Sequence, residues 1–338
     1  MIQVNVNDIQ IQKQLGAWKP NQYLSNLCIS YYEEPTWASR RVFPVCPVQL
    51  PSGYFYTFEK ADLARDNVRR KPDYGAVQPA VLGLSDNSYQ CHVDQIVIGL
   101  DKLVVLPYQR DGGGFDPVRA RVKTVNEQIC LHQEIEFAKL FFQAGVWQNQ
   151  WTGATADNAA QKKFKRFDDA TSDPISFIDA RIVEIRREGR RRPNKLVLGI
   201  EAYVALKNHP AVKERVKFTG TNQAPAVVNE QTLAAIFGVE QVIVLDATYN
   251  AGGIGQEDMR YICDAKSALL LYAPDTIAID EPSAGVVFTW LIDGANYIAV
   301  EQHEGLPATH SDILEAVVAY DMKKTADCLA VFLTGCVS

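Results

Sequence analysis

The segment Arg190-Arg191-Arg192-Pro193-Asn194-Lys195-Leu196-Val197-Leu198-Gly199 constrains the fold of this chain more than any other stretch. A basic turn carrying proline runs directly into a short apolar run, which predicts a buried strand. Downstream, Ala205-Leu206-Lys207-Asn208-His209-Pro210 reads as a short helix stopped by proline, and Val216-Lys217-Phe218 as an exposed edge. After a polar gap the pattern resumes with a helix, Thr232 to Phe237, and an apolar run, Val239 to Leu245, ending in Tyr249-Asn250. Strand, helix and second strand in this order predict a mixed domain within an α+β fold.

The rest of the chain narrows the class. With 338 residues, 47% of them hydrophobic and 22% charged, it can bury one substantial core or two modest ones. No apolar run reaches the ~18 residues of a membrane span, and Met1-Ile2-Gln3-Val4-Asn5 lacks the charged and apolar regions of a signal peptide, so the expectation is a protein made and kept in a cytoplasm. The seven cysteines are odd in number, scattered, and never spaced as a close pair, which predicts reduced structural thiols rather than a zinc site. Thirty-four Lys and Arg against 40 Asp and Glu give a net charge of −6. That balance argues against a protein that grips DNA along its whole surface.

Along the chain, residues 1–45 are rich in aromatics (Trp18, Tyr23, Tyr31, Tyr32, Trp37, Phe43) without a sustained period, so two readings stand: rings that pack on the body or on neighbouring subunits, or an N-terminal element folded on its own domain. Ser52-Gly53-Tyr54-Phe55-Tyr56-Thr57-Phe58 reads as a strand, with a return strand from Tyr89 to Ile98. The intervening Glu59–Asn87 is too long for a tight turn, and loops of that length are usually functional. Beyond the joint Gly112-Gly113-Gly114, Asp116 and Pro117 open a helix expected to run to Gly145, a rod of ~40 Å. Its stripe is Val118, Val122, Val125 and Ile129, continuing after a shift through Ile135, Ala138 and Phe142. A second capped helix begins at Ser172-Asp173-Pro174, carries Ile175, Ile178, Ile182 and Ile185, and stops at Gly189. Later strands are expected at Ala268–Tyr272, Thr276–Ile279, Gly285–Trp290 and Tyr297–Val300. Ile313–Val318 and Cys328–Leu333 read as two strands joined by the charged turn Asp321 to Asp327.

Chemistry-bearing patterns are sparse. Gly252, Gly253 and Gly255 suggest a phosphate loop, but no Lys-Ser or Lys-Thr follows and Asp258 stands where a dinucleotide fingerprint has its third glycine, so a flexible loop is expected. His303 and His310 lie near Glu301, Glu304 and Asp312 at a spacing that matches no metal motif, which favours a solvated loop. Cys91 and His92 are strand neighbours and point to opposite faces. No Gly-x-Ser-x-Gly elbow occurs. These patterns imply no cofactor, no metal and no catalytic residue. The cluster Arg186, Arg187, Arg190, Arg191 and Arg192 invites three readings: ion pairs between subunits, a solvated helix terminus favoured by the dipole, or nucleic-acid contact without stacking aromatics.

The Phe43–Phe58 run, Tyr89–Val93, the Ser172-Asp173-Pro174 helix, Arg192-Pro193-Asn194 with its strand, and Phe237-Gly238-Val239-Glu240 together resemble the major capsid proteins of tailed phages, the Hong Kong 97-type shell, over about residues 43 to 336. The resemblance implies an N-terminal arm at 1–45, an extended two-stranded loop at 46–100 that lies over an adjacent subunit, and a peripheral domain at 101–190 and 306–338 with a spine helix at 116–145. It also implies an axial domain at 191–305. The implied protein is no enzyme. It is a head-shell subunit in the virion, assembled in the host cytoplasm into pentamers and hexamers of an icosahedral shell. That shell would enclose double-stranded DNA without sequence-specific binding and without a membrane. Arg190, Arg191 and Arg192 are the candidate subunit-interface residues. Partners would be further copies of the chain, with scaffolding, portal and decoration proteins beside them. Since the sequence opens at Met1, scaffolding is expected from a separate protein or not at all. Two alternatives stand: the shell of a cellular encapsulin-type nanocompartment, and an enzyme of unknown type.

Overall fold

The computed structural model describes residues 21–32, 37–57, 85–103, 117–217, 228–253, 255–276, 282–292, 297–305 and 310–338, with isolated positions between 66 and 75. The described residues divide into two compact units. One draws on Met1–Glu34, His92–Ile129 and Trp290–Ala319; the other draws on Pro35–Cys91, Cys130–Thr289 and Tyr320–Ser338.

The larger unit is built on a six-stranded mixed sheet. Its strands are β5 (Gln150–Ala154), β6 (Lys163–Lys165), β7 (Lys195–Gly199), β8 (Gln241–Leu245), β11 (Ala268–Leu271) and β15 (Ala330–Thr334), in the order β6-β5-β15-β11-β7-β8. β7 lies inside the sheet, between β11 and β8, and is buried at every position. Leu196 and Leu198 face one apolar cluster, with Ile175, Ile178, Ile182, Ile185 and Phe237. Val197 faces the other, with Ile243, Leu269, Phe332, Phe137 and Phe141. Alternate residues of a strand point to opposite faces. A sheet covered on both sides therefore needs apolar residues at successive positions, which is why the 196–198 run has no polar alternation.

The first cluster is closed by helices α3 (Pro174–Gly189), α4 (Ile200–Asn208), α5 (Pro210–Lys217) and α6 (Glu230–Phe237). The caps follow from sequence: Asp173 accepts the Ser176 N–H at 3.1 Å, and Asn229 accepts the Thr232 N–H at 2.8 Å, so α6 starts before the expected Thr232. Pro210 stops α4 and also opens α5. Val216 is buried at the end of that helix, so 216–217 is no exposed edge. A proline at the first helical position loses no hydrogen bond, which is how one residue serves both elements.

The long helix α2 spans Pro117–Leu140 and ends before Gly145; Asp116 lies outside the described residues. The Phe141 and Phe142 amides still bond to Phe137 and Ala138 carbonyls, and Gly145 takes φ +89° in the turn beyond. The inner face of its second half differs from the expected stripe. Of the expected residues Phe142 is buried and Ile135 and Ala138 are only half-buried, while Gln133, Glu134, Phe137 and Phe141, outside that stripe, are buried.

In the same unit β2 (Ser52–Thr57) and β3 (Ser85–Gln90) form a two-stranded ribbon. Its base is held by Tyr89 stacked on Phe288 at 4.5 Å and by Phe55 at 5.3 Å from the same ring. The expected return strand Tyr89–Ile98 is two elements, because β4 (His92–Asp101) leaves the ribbon for another sheet. The break is at Cys91, whose N–H bonds the Pro51 carbonyl and whose thiol bonds the Phe288 carbonyl. A period of two looks the same on both sides of a change of partner. Glu59–Asn87 lies mostly outside the described residues, as do Gly112–Gly114 and all of Thr276–Ile279 except Thr276, which is in no strand.

In the smaller unit β13 (Ile298–Glu304) pairs antiparallel with β14 (Ser311–Lys324), and β14 also pairs with β4. The N-terminus of α1 (Gln22–Tyr32) covers the free edge of β13: Asn21 N–H donates to the Val300 carbonyl at 2.8 Å, and Ser25 Oγ accepts the Val300 N–H at 2.9 Å. Covering an edge this way removes a template for unwanted pairing. A helix in this stretch was not expected from its aromatic, aperiodic composition. The presumed turn Asp321–Asp327 is also overturned. β14 runs unbroken to Lys324, where Gly285–Thr289 of β12 (Gly285–Trp290) pairs with it in the larger unit, and β15 belongs to the six-stranded sheet.

Candidate functional site

The arginine turn is assembled by α3. Its four isoleucines pin one face to the sheet, and Gly189 passes so close to Leu329 that a Cβ there would lie 2.4 Å from the Leu329 Cδ2. Arg190 then takes a left-handed conformation, φ 55°, and its N–H closes the helix on the Arg186 carbonyl at 3.0 Å. Arg186, Arg187, Arg190, Arg191 and Arg192 are all exposed. They gather at the C-terminal end of α3, where positive charge complements the helix dipole.

The three expected interface residues separate in role. Arg192 turns into its own chain and donates to the Gly238 carbonyl at 2.8 Å, capping α6. Arg191 stands 6.0 Å from the Tyr272 ring centroid, and Arg187 is 3.9 Å from the Glu188 carboxylate. Arg190 is the pivot of the turn.

Two residues beside the cluster carry more of the structure than their sequence context suggests. Asn194 donates to the Ala273 carbonyl at 2.9 Å and to Glu240 at 3.3 Å, and accepts the Ala273 N–H at 3.0 Å. Lys195, 4% exposed, donates to the Arg41 carbonyl at 2.9 Å and pairs with Asp275 at 3.2 Å. A lysine opening an otherwise apolar strand was the available signal.

Elsewhere the chemistry resolves into architecture. The turn after β7 is where a parallel α/β unit cradles a phosphate on a helix N-terminus. Here the Ala265 carbonyl occupies it, accepting the N–H groups of Glu201 and Ala202 at 3.0 and 3.1 Å. Gly199 is required because a Cβ would meet the Asp264 and Ala265 carbonyls at 2.4 and 2.5 Å. The Gly252–Gly255 region is the tip of a ribbon, β9 (Thr248–Asn250) and β10 (Met259–Tyr261), ordered by Asn250, which accepts the N–H groups of Gly252 and Asp258 at 2.9 Å each. Glu301, His303 and Glu304 lie on β13, not in a loop; Lys102 binds Glu304 and Asp312 at 3.0 and 3.1 Å.

A buried serine and histidine do meet, with Ser172 Oγ 3.1 Å from His209 Nε2. His209 Nδ1 accepts the Ala211 N–H at 3.2 Å, so the ring proton sits on Nε2, facing Ser172 and the Asp169 carbonyl at 3.2 Å. A nitrogen that already holds its proton cannot take one from the serine, so the pair is a helix cap and not a nucleophile with its base.

Glu134 of α2 is wholly buried. It accepts the Ser39 N–H at 3.2 Å and the Ser39 hydroxyl, and its Oε1 has no partner among the described residues. Desolvation raises its pKa above the usual carboxylate range.

A mixed sheet covered on both faces, a long helix and long paired strands make up a fold shared with phage capsid subunits. A capsid chain of a native GTA particle superposes with a TM-score of 0.52 at 11% identity, covering 89% of this chain and 90% of that one. A crystallised phage-related protein from Bordetella bronchiseptica superposes with a TM-score of 0.73 at 21% identity, covering 95% and 98%. In sequence, the chain is similar to the major capsid protein of Burkholderia phage BcepMu, 27% identical over 237 residues, or 67% of this chain and 68% of that protein. No protein-family model matches. The resemblance to tailed-phage major capsid proteins therefore holds in sequence and in fold.

Proposed function

We propose that this chain is the major head-shell protein of a tailed phage or prophage. Its copies assemble in the host cytoplasm into pentamers and hexamers that close an icosahedral shell around double-stranded DNA, and it catalyses no reaction. The observation that carries this reading is the 237-residue sequence similarity to a phage major capsid protein, which lies within a fold shared almost end to end with a phage-related protein. The net charge of −6 suits a wall that does not adhere to what it holds.

On this reading residues 1–45 form an N-terminal arm and 46–100 an extended loop over the adjacent subunit. α2 is the spine helix of a peripheral domain, 101–190 and 306–338, and 191–305 forms the axial domain. β5, β6 and β15 join the axial sheet, which favours extending the axial domain to those strands. Arg190, Arg191 and Arg192 form a subunit-facing turn, with Arg192 bracing it from behind. Scaffolding, portal and decoration proteins are the expected further partners.

Expression of the full chain followed by electron microscopy tests the proposal. Closed shells with fivefold and sixfold capsomers are expected; protein that stays monomeric over a wide concentration range overturns it.

A further inference from the structure

Toward opposite ends of α3 lie two exposed surfaces of opposite charge. In the last two turns of α3 Val183 is 67% exposed, and Arg186 and Arg187 follow it at the spacing of one helical turn. Arg190 and Arg191 extend this basic rim, with Glu188 beside Arg187. At the N-terminal end lies an apolar groove of about 530 Å³, with Ile200, Val204, Tyr261 and Val337 among its lining residues. Val204 and Tyr261 are 46% and 47% exposed. The charged groups lining this groove are Asp168 and Glu201, with no lysine or arginine, and its His209 is the residue bonded to Ser172 just before α3.

α3 is sixteen residues and ~24 Å long and runs from beside His209 of the groove to the arginine turn. With the groove and the basic rim toward opposite ends of that helix, a second molecule is needed to bring them together. We propose that the groove receives the basic end of α3 from a second copy of this chain, head to tail. Val183 would enter the groove, the arginine stems would lie along its apolar walls, and the guanidinium heads would meet Asp168 and Glu201. A heterologous contact of this kind repeats from copy to copy and closes into rings when the rotation permits. The inference rests on the shell reading above and names the surfaces by which its capsomers form.

The test compares the full-length chain with two charge-swapped forms, R187E/R190E at the basic end and D168R/E201R at the groove, and with the form carrying all four changes. Thermal unfolding confirms that each subunit folds, while sedimentation and electron microscopy read assembly. Each single-face form should lose assembled material by about tenfold or more, and the four-change form should recover it, as coupled surfaces do. A second measurement uses V183C/V204C. The native cysteines are buried apart from half-buried Cys328, so oxidised particles should show a ladder of disulfide-linked subunits on a non-reducing gel. If the unaltered chain forms shells and both single-face forms do too, this contact is wrong and the shell reading stands. The contact is equally wrong if the four-change form recovers nothing and no ladder forms. An unaltered chain that never associates removes both.

Discussion

α2 and α3 bury their inner faces by opposite means. In α3 the inward residues are Ile175, Ile178, Ile182 and Ile185, at helical spacing, between an aspartate cap and a glycine stop. In α2 they include Asn126, Gln133 and Glu134 among Val122, Val125, Ile129 and Phe137. An isoleucine stripe is satisfied by any apolar surface of the right shape. A buried amide or carboxyl is satisfied only by a particular partner: the Cys28 thiol lies 3.9 Å from Asn126 Oδ1, and Ser39 supplies its amide and hydroxyl to Glu134. One helix is specified by its own pattern, the other by what the rest of the chain brings to it.

The contrast breaks most decisively at Ile178. Ile178→Asp puts an unpaired charge into the sheet-facing cluster and should cost more than ~4 kcal/mol, leaving unfolded or aggregated protein. Normal thermal unfolding of that variant would mean that α3 does not face the sheet. Ser39→Ala removes the hydroxyl that donates to a buried carboxyl, leaving the residue-39 N–H in place, and should cost ~1–3 kcal/mol in chemical denaturation. A loss near zero would show that the backbone N–H, not the hydroxyl, holds Glu134.

Glu134 also predicts a pH dependence. Burial raises its pKa, with Asp246 adding to the rise and the Ser39 bonds and Arg41 opposing it; Cys263, also facing it, has a thiol pushed up by burial. The folded state therefore holds a proton that the unfolded state has released. Its contribution is fully present below the ordinary carboxylate pKa and is lost as pH rises through the raised one. Glu134→Gln should lose less stability than the natural chain between about pH 4 and pH 8. Parallel melting curves for the two across that range would refute the assignment.

Asp173→Ala, which removes the N-cap of α3, should cost ~1 kcal/mol, measurable as a lowered midpoint in urea. The smallest effect is expected at Val183→Ser on the exposed face of α3, within about 0.5 kcal/mol for the isolated subunit. Shell formation by that variant should nonetheless fall, and a change in subunit stability with assembly intact would reverse the roles given to the two faces.

Legibility followed the same division. The buried strand at Lys195–Gly199, the cap of α3, the apolar run of β8 and the strand Gly285–Trp290 could be read from local pattern, because each is set by neighbours in sequence. The end of the stripe on α2, the switch of partner at Cys91 and the unbroken course of β14 could not, because a residue pattern is the same whichever strand or helix covers it. The arginine cluster was visible, but not that Arg192 spends its guanidinium on the Gly238 carbonyl; that depends on where α6 ends.

By itself the sequence determined the α+β class, the two amphipathic or buried segments around the arginine turn, and a resemblance to phage capsid proteins spread over short separated motifs. These rest on periodicity, capping and turn chemistry, which act over a few residues. Only the tertiary structure decided which strands share a sheet, which buried polar groups find partners, and which distant residues line the groove beside His209. Those features join residues far apart in the chain, such as Asn194 with Ala273 or Ser39 with Glu134, and their free energy exists only once the chain has folded and brought them into contact.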